Sequence, residues 1–76
     1  MKELIEYIAK SLASMPDEVT VTEISEEDGQ VVLRLECAED DKGKLIGRQG
    51  RVAQAMRLLV RASATKNGTH AMLEIV

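Results

Sequence analysis

The sequence predicts an α+β domain in the order α-β-β-α-α-β, with a three-stranded mixed sheet and its helices packed on one face. Three observations predict it. Apolar residues recur at helical spacing in some stretches and alternate with polar residues in others. Breaks between the stretches carry Pro, Asp-Gly or paired glycines. Seventy-six residues with a 45% hydrophobic share fit one domain, residues 1–76, with a modest core. No internal repeat, low-complexity tract or linker divides it.

From Lys2 to Ser14, the residues Leu4, Ile5, Ile8 and Leu12 form a helical stripe, leaving Lys2, Glu3, Glu6 and Lys10 for solvent. Pro16 ends that helix. The β-branched run from Val19 to Ile24 is a strand. Glu27-Asp28-Gly29 holds the Asp-Gly hairpin signal. Val31, Leu33, Leu35 and Cys37 then alternate with Val32, Arg34 and Glu36, a second strand with one buried face. Cys37 on that face is a small core residue.

Asp40-Asp41 supplies the cap of a short helix through Lys42, Gly43, Lys44, Leu45 and Ile46. Gly47-Arg48-Gln49-Gly50 breaks it, and a longer helix runs from Arg51 to about Lys66. Val52, Met56, Leu59, Val60 and Ser63 share one side of it; Arg51, Gln54, Arg57 and Arg61 lie on another. Asn67-Gly68 closes the helix. Ala71, Leu73 and Ile75 alternate with Met72, Glu74 and Val76 in a last strand. Met56 and Met72 are expected as core filler. The two helices between the second and third strands form a crossover, so those strands should pair in parallel.

Cys37 is the single cysteine and His70 the single histidine, which excludes an intramolecular disulfide and any Cys/His metal spacing. An unstapled domain with one thiol fits a reducing cytoplasm. No apolar run reaches membrane-span length, and no leader pattern is seen. No paired-carboxylate, triad or metal arrangement stands in the basic half, so no enzyme and no cofactor are expected. His70 reads as structural. The acidic run Glu36, Glu39, Asp40 and Asp41 reads as capping and solubility.

The net charge of −3 hides a split. Residues 1–41 carry a balance of −9 and residues 42–76 one of +6, with no Asp or Glu between Lys42 and Lys66. Such a split suggests one face built for an anion, or a dipolar surface that pairs with another subunit. The informative segment is Gly43-Lys44-Leu45-Ile46-Gly47-Arg48-Gln49-Gly50-Arg51. Two glycines bracket two polar residues between helices, so the chain can curve tightly and a sugar-phosphate backbone can come close. Backbone N–H groups at the start of the second helix attract phosphate. Lys44, Arg48 and Arg51 add cationic donors, and Leu45 and Ile46 offer an apolar floor for bases. The spacing fits neither a Walker loop nor a dinucleotide fingerprint. A purely structural turn is the other reading.

Ile46-Gly47-Arg48-Gln49-Gly50 between two helices resembles the Ile-Gly-x-x-Gly signature of KH domains, whose GXXG loop clamps about four nucleotides. The element order resembles the type II arrangement. A free-standing domain of this length is similar to the KhpA (YlqC) family of small bacterial KH proteins, and the likeness covers essentially the whole chain. That resemblance implies a GXXG clamp at Gly47, Arg48, Gln49 and Gly50, flanked by Lys44, Leu45, Ile46 and Arg51. It also implies single-stranded RNA as the ligand and a role as post-transcriptional regulator or RNA chaperone, in some members linked to cell shape. The implied partner is a second copy (homodimer) or a larger KH-containing protein of the KhpB (Jag) type (heterodimer). Gln49 departs from a fully cationic loop, which implies modest affinity. Arg57 and Arg61 read as a solvated face, the rim of an RNA groove or a dimer contact. The rival function is a protein–protein interaction module whose basic face docks an acidic partner.

Overall fold

The computed structural model describes residues 1–26 and 28–76. Helix α1 (Lys2–Leu12) leads through a 3-10 turn at Pro16–Glu18 into strand β1 (Thr20–Ser25) and strand β2 (Gln30–Glu36). A second 3-10 turn, Glu39–Asp41, opens into helix α2 (Lys42–Ile46). A third, Arg48–Gly50, joins α2 to helix α3 (Arg51–Lys66), and strand β3 (His70–Ile75) follows. The sheet order is β1-β2-β3. β1 pairs with β2 antiparallel and β2 with β3 parallel, as the crossover requires. This is the type II arrangement, with the helices on one face of a mixed sheet.

Register explains which residues meet the helices. Val21, Leu33, Leu35 and Leu73 point to the inner face, where Ile5 and Ala9 of α1, Leu45 of α2 and Met56 and Val60 of α3 close over them. Each large aliphatic side chain sealed there contributes roughly 1.5–3 kcal/mol. In a chain this short, few such side chains are available.

Several sequence expectations shift. Helix α1 stops at Leu12, four residues before Pro16, and Pro16 starts the 3-10 turn instead. Its buried residues are Ile5 and Ala9, while Leu4 and Leu12 are exposed. On α3 the buried row is Ala53, Met56, Val60 and Ala64, with Leu59 left exposed. Alanines let a helix approach the sheet closely, and that rotates the buried row away from Leu59. Met72 is 48% exposed and so is not core filler. It sits on the helix-free face beside Val32, which the alternation had assigned to solvent. Val32 is buried because the central strand places it between Ile24 and Met72. The hairpin turn was read at Glu27-Asp28-Gly29. Glu27 lies outside the described residues; Gly29 takes φ 83° and the Asp28 carboxylate accepts the Gln30 N–H at 3.1 Å.

Asp41 does not cap α2 through its side chain. Its carboxylate is buried and accepts two N–H bonds from the α1–β1 connection, Ser14 N at 3.0 Å and Met15 N at 3.0 Å. Those two bonds hold the Asp41 carboxyl below its ordinary 3.8, and Lys44 nearby adds to the effect. Because the native pKa is lowered, the stabilisation is complete above 3.8 and is lost as pH falls through the native value. An Asp41→Asn variant faces one of the two N–H groups with an amide donor. Its melting temperature at pH 7 should fall several degrees below wild type. That gap should narrow below pH 3.8, as thermal scans across pH will show. A gap independent of pH would contradict the assignment.

Candidate nucleic-acid interface

The turn between α2 and α3 is built from unusual backbone. Gly47 has φ 79° and ψ 172°, a region open in practice only to glycine. Gln49 (φ 57°, ψ 25°) and Gly50 (φ 73°, ψ 15°) follow in the left-handed region. Gly47 N–H donates to the Gly43 carbonyl at 2.8 Å and Gly50 N–H to the Gly47 carbonyl at 3.1 Å, closing the loop tightly. A side chain on Gly47 would place its Cβ 2.5 Å from Val52 Cγ2, whereas a Cβ on Gly50 meets nothing within 4 Å. The loop therefore presents Arg48 and Gln49 outward, both exposed.

Helix α3 starts at this loop with no side-chain cap and no acidic residue in its first turn. Its positive dipole end is thus left for an external anion. The cations around it fall into two sets. Lys42 pairs with Glu39 at 3.1 Å; Lys44 pairs with Asp41 at 3.8 Å and contacts the Ser14 hydroxyl. Arg48, Arg51, Arg57 and Arg61 carry no ion pair among the described residues. The structure brings Arg48, Gln49 and Arg51 to one exposed surface, with Ile46 beside them at 39% exposure. Leu45 is wholly buried in the core and cannot touch a base; it anchors α2 from beneath. Expecting it in an apolar floor was wrong because neighbouring residues on a helix point about 100° apart.

Sequence reasoning missed a trough between α3 and β3. Adjoining hollows are lined by Gln54, Arg57, Leu58 and Arg61, then by Arg57, Arg61, Ala71, Met72 and Leu73. β3 is an edge strand. Val76 N–H donates inward to Leu35 O at 3.0 Å. By alternation the backbone groups of Ala71, Leu73 and Ile75 face the open edge. Arg57 Nε reaches the Leu73 carbonyl at 3.4 Å. The only sequence signal for this wall was the spacing of Arg57 and Arg61. Cys37, half-buried just after β2, has its thiol pushed up by burial and by Asp41. No group of three His, Cys, Asp or Glu among the described residues is arranged to hold a metal ion. No helix among them is long and apolar enough to cross a membrane.

A three-stranded mixed sheet with its helices on one face and a Gly-x-x-Gly turn joining two of them defines a type II KH domain. Within that class the chain belongs to the KhpA/KhpB KH-domain family, whose model matches residues 2–75. It is 46% identical over its full length to the RNA-binding protein KhpA of Clostridium acetobutylicum, covering 100% of both chains. It is 48% identical to the RNA-binding protein KhpA of Treponema pallidum, over 99% of this chain and 92% of that one. Among solved structures, Aquifex aeolicus Era aligns with a TM-score of 0.61 at 19% identity, over 97% of this chain. The match spans 28% of the Era chain and supports the fold alone.

The two glycines should respond differently to substitution. Gly50→Ala meets only the left-handed backbone cost, about 1–2 kcal/mol. Gly47→Ala adds the collision with Val52, so urea denaturation should show the larger loss. Val52→Ala should recover part of it. Equal losses at the two positions would contradict this geometry.

Proposed function

We propose that this chain binds single-stranded RNA, about four nucleotides at a time. The sugar-phosphate backbone lies against Gly47–Gly50 and the bases lie in the adjoining part of the α3–β3 trough. The observation that carries this reading is the uncapped, acid-free start of α3 behind a glycine turn, with Arg48 and Arg51 beside it in no ion pair among the described residues. Phosphate is drawn by the helix dipole and by two guanidinium forks. Ile46 offers aliphatic contact, and the Ala71 and Leu73 backbone edge offers donors and acceptors to bases. The chain has one aromatic residue, Tyr7, on the far helix α1. Base recognition thus rests on hydrogen bonding and aliphatic packing rather than stacked rings. The relatives' printed name, RNA-binding protein, supports the same ligand. The reading extends to a cytoplasmic post-transcriptional regulator or RNA chaperone without catalytic activity.

The double variant Arg48→Asp with Gln49→Asp tests the clamp. Asp tolerates the left-handed backbone at position 49 and suits a helix start, so stability should move by no more than ~0.5 kcal/mol. Filter binding to short single-stranded RNA should weaken by at least about tenfold, because two carboxylates replace a donor where phosphate passes. For the wild type, about three neutralised phosphates give a log K against log salt slope near −2, at about −0.7 each. Retained affinity in the double variant would remove the clamp. Affinity for an acidic polypeptide in its place would favour the interaction-module reading.

Pairing belongs to the same proposal, as a homodimer or with a larger protein of the KhpB (Jag) type. Leu58 and Leu59 stand side by side on α3 at 63% and 42% exposure, which favours a covered state. Joining two small clamps raises effective RNA concentration without new contacts. Sedimentation should show self-association at micromolar concentrations. A strict monomer would leave only the heterodimer.

A further inference from the structure

Beyond Arg61 the trough does not end at solvent. It opens into a pocket of about 360 Å³ between the last turns of α3, the start of β3 and the β1–β2 hairpin. Arg61 and Ala71 line both this pocket and the neighbouring stretch of trough, so the two are continuous. The volume lies within the ~300–1,000 Å³ range of small-ligand sites.

Most polar groups on its walls are already committed. The Thr69 hydroxyl donates to the Gly29 carbonyl at 2.7 Å and ties β3 to the hairpin. The Thr65 hydroxyl donates to the Arg61 carbonyl at 2.9 Å. The Gln30 amide contacts Met72 Sδ at 3.1 Å, and one Asp28 oxygen accepts the Gln30 N–H. These bonds hold the walls in place. The Arg61 guanidinium and the His70 ring have no partner among the described residues, and one Asp28 oxygen is unused. The pocket thus offers a cationic donor, an imidazole and a carboxylate acceptor on a fixed frame.

We infer that this pocket is a second RNA subsite, taking one ribonucleotide beyond those held at the clamp, with its phosphate on Arg61 and His70. Phosphate fits the guanidinium fork better than any other group of the strand. A hydroxyl or amino donor of the same nucleotide meets Asp28, because an acceptor there repels a second phosphate. The pocket lies about 15 Å along α3 from Arg51, ten residues at 1.5 Å each, so it takes a nucleotide further along the strand than those against Gly47–Gly50. The inference rests on the RNA-binding reading above.

The test compares a single-stranded RNA tetranucleotide with an octanucleotide, both of randomised sequence, on wild type, Arg61→Ala, His70→Ala and the Arg48→Asp, Gln49→Asp double variant. The wild type should bind the octanucleotide about tenfold tighter, beyond the statistical factor from several registers. His70→Ala, at a residue that lines this pocket and not the neighbouring trough, should keep its tetranucleotide affinity within about twofold and lose part of that surplus. Arg61→Ala, at a residue shared with the trough, should weaken the octanucleotide more than the tetranucleotide and flatten the octanucleotide salt slope by about 0.7. Both side chains are exposed, so melting temperature should not move. An octanucleotide surplus intact in both variants, or equal weakening of both oligomers by His70→Ala, overturns the subsite while leaving the clamp standing. If the double variant binds both oligomers like wild type, the clamp reading itself falls, and the subsite with it.

Discussion

The buried carboxylate of Asp41 is the constraint on which the site depends. It is the one charged side chain in the buried set of the described residues, and it faces two backbone N–H groups 26 and 27 residues away. A charge survives out of water only when its oxygens are bonded, and a carboxylate meeting two amides satisfies that. The result is a joint between the α1–β1 connection and the residue that precedes α2. Helix α2 has five residues, too short to hold its own place by helix propensity. Leu45 anchors it in the core and Asp41 fixes its entry, so its far end delivers Gly47 at one position. The Gly47–Gly50 turn is therefore placed by a bond at the other end of a short helix.

That same carboxylate divides the cations. It holds Lys44, and Glu39 holds Lys42, so the two lysines before the loop are engaged. Lys44 is half-exposed, so solvent screens its pair with Asp41. The arginines carry no such burden. Arg48, Arg51, Arg57 and Arg61 pair with no acid among the described residues, and Arg57 and Arg61 line the trough. The charge split in the sequence thus becomes a division of labour. The acidic half engages the two lysines before the loop, and among the described residues the guanidinium groups of the basic half are left without an acid. A net charge of −3 restrains nonspecific adhesion to nucleic acid while the local field still favours it.

The element order, the parallel pairing and the limits of α2 and α3 were legible because each rests on local chemistry. The glycine turn, the Asp-Gly pair and the alternation of Leu33 and Leu35 are read within a few residues. What escaped was set by distant partners. Nothing near Asp41 reveals that it will bond Ser14 and Met15, so a cap was the natural reading of an Asp before a helix. Ala53 and Ala64 carry little weight in an apolar pattern, yet they set the rotation of α3 by letting it approach the sheet. Val32 reads as solvent-facing until its neighbours Ile24 and Met72 are known. Of the loop, the bracketing glycines and the exposed Arg48 and Gln49 were legible in sequence, and the burial of Leu45 was not. The trough was not, since α3 and β3 form it from opposite walls.

The glycine turn admits two readings, a structural corner or a phosphate cradle, and its two glycines bear on them differently. At Gly47 the space a side chain needs is filled by Val52, and the backbone lies where only glycine is at ease. Packing alone demands glycine there, whatever the ligand. At Gly50 the space is open, and the left-handed backbone is one that Gln49 beside it adopts with a full side chain. The fold therefore makes a weaker demand at Gly50 than at Gly47. A Cβ at Gly50 would occupy open ground before the first turn of α3, the ground that the proposed phosphate contact uses. The two glycines are one motif in sequence and two different situations in physics, filled space at the first and open space at the second.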